Sequence, residues 1–452
     1  MDHTVAAIST ATGEAGIGIV RMTGIDSFNI ADKVFKGRKD KDFNRKMLYG
    51  HIYDKEELID EVLIAYMKGP KTYTREDMVE IYTHGGMMSV RKVLDLLLKN
   101  GAEIADKGEF TKRAFLNGRL DLSQAEAVID IIKSKTDKAY EASLHQLEGG
   151  LRKTIKKYRD QILELLSYVE YSINFTEDFQ EELEYDNVIE KGEQILCSLR
   201  KLYDSANRGK IIREGVKTTI VGKPNVGKSS LLNALIRENK AIVTDIPGTT
   251  RDVIEEYIDI GGIALKITDT AGIRDTEDVV ERIGVEKSLE FAQNADLIIA
   301  IFDASKELDE EDLKILDLIK DRHSIVVINK NDLDQKITID ELKIPDDIVV
   351  IKTSIVLGEG IEELERAIEN IFYEGNITTN QDELITNVRH RDILKRVITS
   401  LESSMEDLKH QIPVDCVEVD LRHAWEALGE ITGETIEDDV LDKIFSEFCI
   451  GK

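Results

Sequence analysis

Cysteine is scarce in this 452-residue chain, with three scattered residues at Cys197, Cys416 and Cys449. So sparse and odd a count argues against a disulfide framework or a zinc site and fits a reducing compartment. No apolar run approaches the ~18 residues of a membrane span. The opening MDHTVAAISTATGEAGIG lacks a basic stretch followed by an apolar core, so no secretion signal is read there. The expected location is cytoplasmic. Proline is also rare, at 5 residues; with 42% hydrophobic and 33% charged residues, the composition is that of an ordinary globular protein. What the chain lacks most is positive charge: 60 Lys and Arg face 88 Asp and Glu, for a net charge of −28. Such a chain is repelled by phosphate backbones, so work on nucleic acid needs a local basic patch or a partner that supplies one.

What is present divides along the chain. Apolar strand-like runs at Thr218–Val221, Leu265–Thr268, Leu297–Phe302, Ser324–Ile328 and Ile348–Ile351 alternate with helical patterns. Continuous apolar strands separated by helices predict a doubly wound, mainly parallel sheet covered on both faces. That α/β domain is placed at 214–374. Ile155, Tyr158, Ile162, Leu165, Val169 and Ile173 have helical spacing, and Leu394, Val397, Leu401, Met405 and Leu408 repeat it. The two flanks, 119–213 and 375–452, are therefore predicted to form one discontinuous helical bundle with the α/β domain inserted between them. Residues 1–118 mix β-rich runs (Gly18–Met22, Val62–Met67, Val79–Tyr82) with a helix near Val90–Leu98, which reads as a small α+β domain.

The chemistry-bearing motifs lie in the α/β segment. Gly222-Lys-Pro-Asn-Val-Gly-Lys-Ser229 matches the phosphate-binding loop and lies between a strand and a helix, as that motif requires. Gly222 and Gly227 let backbone N–H groups face phosphates, Lys228 reaches the β- and γ-phosphates, and Ser229 offers a hydroxyl to Mg2+. Asn225, Val226 and Ser230 complete the cradle. Asn329, Lys330 and Asp332 form an NKxD motif at a strand end; its carboxylate accepts two hydrogen bonds from a guanine edge that adenine does not offer. Thr353, Ser354 and Ile355 resemble the short loop that closes a base pocket. Asp269, Thr270, Ala271 and Gly272 form the turn that senses the γ-phosphate. Thr244, Asp245, Ile246, Pro247, Gly248, Thr249 and Thr250 occupy the switch I position, with Thr250 as the second Mg2+ hydroxyl. GTP is thus the expected substrate.

Some roles stay open at this level. Ile273 stands where many GTPases place a water-orienting glutamine, so another polar group must serve. The segment that follows holds Arg274, Glu277, Glu281 and Arg282, which read equally well as a solvated helix face. Extra positive charge for the transition state has two candidate sources: Arg251 or Arg274, or a K+-sized ion held by Asn225 and the carbonyls of the Thr244–Thr250 loop. The closing Cys449-Ile-Gly-Lys452 fits a prenylation box badly, and its thiol is either a small buried hydrophobe or a reactive group.

Several blocks together resemble one family. They are Gly16-Ile-Gly-Ile-Val-Arg21, Tyr73-Thr-Arg-Glu-Asp77 with Glu80 and His84-Gly-Gly86, the run from Arg113 to Glu126, the PNVGKSS, DIPGTTRD, DTAGIR and VERIG segments, and the closing Cys449–Lys452. Over its whole length the chain is similar to tRNA modification GTPases of the MnmE (TrmE) family. The resemblance implies an N-terminal domain that binds a tetrahydrofolate derivative (5-formyl- or methylene-tetrahydrofolate) through Arg21, Glu80, Arg119 and Lys452, and that makes a homodimer. Arg119 stands where the family more often has lysine, which keeps the charge but not the geometry. It implies hydrolysis activated by K+ on Asn225, Thr244, Ile246 and Thr249, with Glu281 orienting water. It also implies a flavin-containing, MnmG-like partner in a heterotetramer or larger complex, with which a carboxymethylaminomethyl or aminomethyl group is added to C5 of the wobble uridine, position 34, of certain tRNAs. Cys449 then takes part in the modification chemistry.

Two other functions compete. A ribosome-assembly GTPase shares this type of G domain and acts as an RNA-binding switch, but usually carries a basic RNA-binding module. The segment after the α/β domain here is acidic and helical. A generic cation-dependent GTPase whose N-terminal domain only dimerises would bind no folate.

Overall fold

A computed structural model describes residues 3–11, 13–38, 43–174, 185–238, 241–242, 256–267, 294–346, 348–372 and 384–452. The chain opens with β1 (Val5–Ile8), β2 (Ala15–Thr23), α1 (Ser27–Val34), β3 (Phe35–Gly37), β4 (Met47–Asp54), β5 (Glu57–Met67), β6 (Met78–Gly85), α2 (Met87–Lys99) and β7 (Glu103–Ile104). Helices α3 (Glu109–Leu116), α4 (Leu122–Lys133), α5 (Asp137–Leu147), α6 (Gly150–Asn174) and α7 (Tyr185–Glu214) follow. Next come β8 (Val216–Val221), α8 (Lys228–Glu238), β9 (Ala241–Ile242), β10 (Glu256–Ile260), β11 (Ile263–Ile267), β12 (Leu297–Asp303), α9 (Glu310–Ile319), β13 (Ser324–Asn329), α10 (Ile339–Leu342), β14 (Val349–Lys352) and α11 (Ile361–Phe372). Helices α12 (Val388–Lys409), α13 (Val414–Thr432) and α14 (Asp438–Ser446) complete it. The architecture is the expected one: an N-terminal α+β domain, a discontinuous helical bundle and an inserted α/β domain.

The chain divides into two compact units. The first is Met1–Ile129, His145–Glu193 and Thr399–Lys452; the second is Asp130–Leu144 and Gln194–Ile398.

In the first unit a seven-stranded sheet runs β3-β4-β5-β6-β2-β1-β7. All pairs are antiparallel except β1 with β7. Strand alternation sends Val20, Met22, Ile52, Ile64, Val79 and Ile81 to one face, where Ile30, Val34, Val90, Val93 and Leu97 of α1 and α2 cover them. The opposite face carries a cross-strand row of Tyr49, Leu63, Tyr82 and Ile19. Tyr49 and Leu63 are exposed there. Phe110 of α3 covers this face only near Ala7 and Met78. In the same unit α13 lies along α6. Arg159 of α6 sits over the Trp425 ring at 4.3 Å, and Arg422 reaches Glu170 at 2.5 Å.

In the second unit the sheet order is β14-β13-β12-β8-β11-β10-β9. β12 and β13 are buried at every position, as strands with helices on both faces must be. Five strands are parallel, whereas β10 is reversed and pairs antiparallel with β11 on one side and β9 on the other. The reversal follows from the two-residue turn Gly261-Gly262, whose φ values of 58° and 88° suit a tight hairpin. Periodicity predicted neither β9 nor β10.

Candidate functional site

The carboxyl ends of the parallel strands carry the first site, as in open α/β sheets generally. The loop from β8 to α8 is the P-loop, and Asn225 at its crown has φ +62°. Lys228 Nζ donates to the carbonyls of Gly222 and Lys223 at 2.7 and 2.8 Å, so it folds over its own loop. Lys223 Nζ reaches Asp309 and Asp312 at 2.8 and 2.5 Å. Those two aspartates form the capping box of α9. The hydrogen bond from Lys223 holds Asp309 below the usual carboxylate range.

Asn329 closes β13 and ties three segments together. Its Nδ2 donates to Val226 O at 2.8 Å. Its Oδ1 accepts from Thr353 Oγ1 at 3.2 Å and Ile355 N at 3.3 Å. Gly227 packs so closely against it that a Cβ there would lie 2.3 Å from Nδ2. Lys330 Nζ donates to Asn225 O at 3.0 Å and to Asp303 Oδ2 at 2.6 Å. Ser354 Oγ donates to Asp332 Oδ1 at 2.6 Å. Burial pushes Asp303 up, but hydrogen bonds from Lys330 and Ser305 outweigh it and hold the carboxyl below its ordinary value.

The structure therefore brings together Asn225 to Ser230, Asn329, Lys330, Asp332, Thr353, Ser354 and Ile355. Thr244–Thr250, Arg251, Asp269–Gly272, Ile273, Arg274, Glu277, Glu281 and Arg282 lie outside the described residues. Of the two cation sets, Ser229 at the start of α8 and Asn225 in the loop are the described members. A mobile guanine nucleotide suits this frame: a backbone cradle, a lysine able to exchange loop carbonyls for phosphate, and a carboxylate steered by a neighbouring hydroxyl. Asp303 was not anticipated; its only sequence mark is its place at the end of a wholly apolar strand.

A second site lies on the open face of the first sheet. Arg21 and Glu80 stand directly opposite on β2 and β6. Arg21 Nε donates to Glu80 Oε1 at 2.9 Å, and Tyr82 Oη donates to Glu80 Oε2 at 2.7 Å. Burial, then the bond to Glu80, pushes the Tyr82 hydroxyl up to about 12. The Tyr73 ring lies 4.6 Å from the Arg119 guanidinium carbon and 5.7 Å from that of Arg21. Tyr73 Oη and Thr111 Oγ1 are 2.9 Å apart. Phe110 lies beneath Arg21 at 5.7 Å. Lys452 belongs here too: burial and then Arg21 pull its ammonium below the ordinary lysine value, against Glu80 and Cys449. Cys449 is free and exposed. Three cations and one carboxylate around aromatic rings fit an anionic, hydrogen-bonding heterocycle. Tyr73, Phe110 and Tyr82 were missed as site residues; only the i, i+2 spacing of Glu80 and Tyr82 on one strand face hinted at the last.

By contrast, Arg113 is fully buried and pairs with Glu109 at 2.6 Å and Glu76 at 3.0 Å, which makes it part of the framework. Among the described residues no cluster of His, Cys, Asp and Glu could hold a metal ion. No described helix is long and apolar enough to cross a membrane.

Comparison with known proteins gives two family matches. The family described as GTP-binding protein TrmE N-terminus matches residues 4–119, and the MnmE helical domain matches residues 122–449. A protein of Finegoldia magna named tRNA modification GTPase MnmE is 65% identical over 454 positions, covering 100% of both chains. Proteins of the same name from Clostridioides difficile and Alkaliphilus oremlandii are 53% and 52% identical, again over 100% of each chain.

Proposed function

The chain belongs to the MnmE family of tRNA modification GTPases, and from that premise we propose that it is a K+-activated GTP hydrolase that works with a flavin-containing, MnmG-like partner. Together they add an aminomethyl-type group, carboxymethylaminomethyl or aminomethyl, to C5 of uridine 34 of certain tRNAs. The observation that carries the nucleotide half is the Asn329 hydrogen-bond set. It fixes the P-loop and the Thr353–Ile355 loop on one side chain, next to the Ser354–Asp332 pair that would read guanine.

In this reading Ser229 and Thr250 hold Mg2+, and Asn225, Thr244, Ile246 and Thr249 hold K+. Glu281 orients the attacking water, which leaves Ile273 with no catalytic task. Lys228 leaves the Gly222 and Lys223 carbonyls for the phosphates. The second site takes the tetrahydrofolate derivative through Arg21, Glu80, Arg119 and Lys452; when bound, it supplies the one-carbon unit. Cys449 lies beside it. The exposed Tyr49 and Leu63 on the open sheet face support a homodimer made by the N-terminal domain. The domains are taken as 1–118, 119–213 with 375–452, and 214–374, in a cytoplasmic protein.

The test is GTP hydrolysis in KCl and NaCl at equal ionic strength, for the wild type, Glu281→Ala and Asn225→Ala. Turnover at least ~10-fold faster in K+, and lost in both variants while GDP still binds, is the expected result; ~10-fold corresponds to about 1.4 kcal/mol in the barrier. Equal rates in the two salts, or wild-type turnover by Glu281→Ala, would overturn the assigned mechanism.

A further inference from the structure

Residues Cys449–Lys452 form a closed turn against the first sheet. Lys452 N donates to Cys449 O at 3.4 Å, the bond that closes a β-turn. Gly451, at the third position, has φ +87°, the sign a type II turn demands there. Gly108 N also donates to Cys449 O, at 3.3 Å, and Ile450 forms a β-bridge with Lys107. On the other side the Gly451 carbonyl accepts from Ser9 Oγ at 3.1 Å and from Arg21 Nη1 at 3.5 Å.

The fit at position 451 excludes a side chain. A Cβ there would lie 2.4 Å from Ile8 O and 3.0 Å from Ser9 Cα. Both are backbone atoms just where β1 ends, so neither can swing aside as a side-chain tip would. Any other residue faces both the unfavourable φ and this contact.

We propose that Gly451 is a positioning residue: it seats the Cys449–Lys452 turn on the end of β1, and so holds the thiol and the ammonium beside the Arg21–Glu80 pair. What the seated residues then serve rests on the folate reading above; the seating itself does not. Arg21 couples the two, because one guanidinium bonds both Glu80 and the Gly451 carbonyl. The half-buried state of Lys452 and its lowered pKa agree with a seated turn, since a loose one would leave the ammonium in water.

The test uses the full chain as wild type, Gly451→Ala and Ser9→Ala. Hydrogen–deuterium exchange is followed by mass spectrometry on peptides covering 447–452 and 105–109. Binding of 5-formyltetrahydrofolate is followed by calorimetry. In the wild type, exchange in both peptides is expected to be protected. Gly451→Ala is expected to speed it at least ~10-fold and to weaken folate binding at least ~10-fold. Ser9→Ala, which leaves the turn's backbone intact, should weaken binding several-fold. Unprotected exchange in the wild type would overturn the seating. So would a Gly451→Ala protein with wild-type protection and affinity. If wild type fails to bind the folate but Gly451→Ala still releases the turn, the folate reading falls and the seating stands.

Discussion

Asp303 shows how one buried carboxylate serves a site it does not itself form. It is 3% exposed, and its partner is the Lys330 ammonium, which also bonds the P-loop carbonyl of Asn225. Replacing it by asparagine keeps the shape but removes the charge that fixes Lys330. A hydrogen bond to a charged group is worth about 1.5–3 kcal/mol, and Lys330 is partly solvated, so the lower end applies. Asp303→Asn is therefore expected to weaken guanine-nucleotide binding about 10-fold, read by titration with a fluorescent GDP analogue. The pH dependence has a definite sign. A depressed carboxylate keeps its contribution above the ordinary Asp value near ~3.9 and loses it only as pH falls through the lowered one. Wild-type affinity should thus hold from neutral to mildly acidic pH, with the gap to Asp303→Asn unchanged. A gap that closes between pH 7 and 5 would show that Asp303 is not charged in the way described.

At the level of elements, the pairing of α6 and α13 rests on apolar burial more than on its surface ion pairs. Leu421 is fully buried in α13, whereas Arg422 beside it is exposed. Leu421→Ala is expected to destabilise the first unit by about 2–5 kcal/mol and lower its melting temperature, with Arg422→Ala far milder. Equal effects in thermal unfolding would refute that ranking. The same contrast explains which elements were legible beforehand. β12 and β13 announce themselves because every residue is buried and the sequence is apolar except at the strand ends, Asp303, Ser324 and Asn329. The helices α6 and α12 carry a clean apolar period, and Leu394, Val397, Leu401, Met405 and Leu408 are all buried. β4 hides because Gly50 takes an inward position and the outward ones are Tyr49, His51 and Tyr53. α3 hides because its buried positions include Glu109 and Arg113, which pair with each other one helical turn apart, with Glu76 completing the match from outside the helix. The residues proposed to read guanine could be picked out directly, since their motif is local in sequence. The rings of Tyr73 and Phe110 at Arg21 could not, because only the sheet register and α3 bring them there.

For the whole molecule, charge and chain connectivity decide most. With −28 net charge, the protein alone is expected to hold tRNA no better than non-specific binders do, about 10⁻⁴–10⁻⁶ M or weaker at physiological salt, as read by anisotropy. Tight, salt-sensitive binding of ribosomal RNA would instead favour an assembly switch. Connectivity sets an order of events. In the nucleotide site, Asn329 and Val226 are 103 residues apart in sequence, and Ser354 and Asp332 only 22. In the other, Ser9 and Gly451 are separated by 442. Closing a longer loop costs more entropy, and contacts of high sequence separation are slow to be found. A refolding chain should thus regain its grip on nucleotide first and complete the Arg21 pocket last, so under the function proposed above a partly folded molecule would burn GTP while unable to take part in modification.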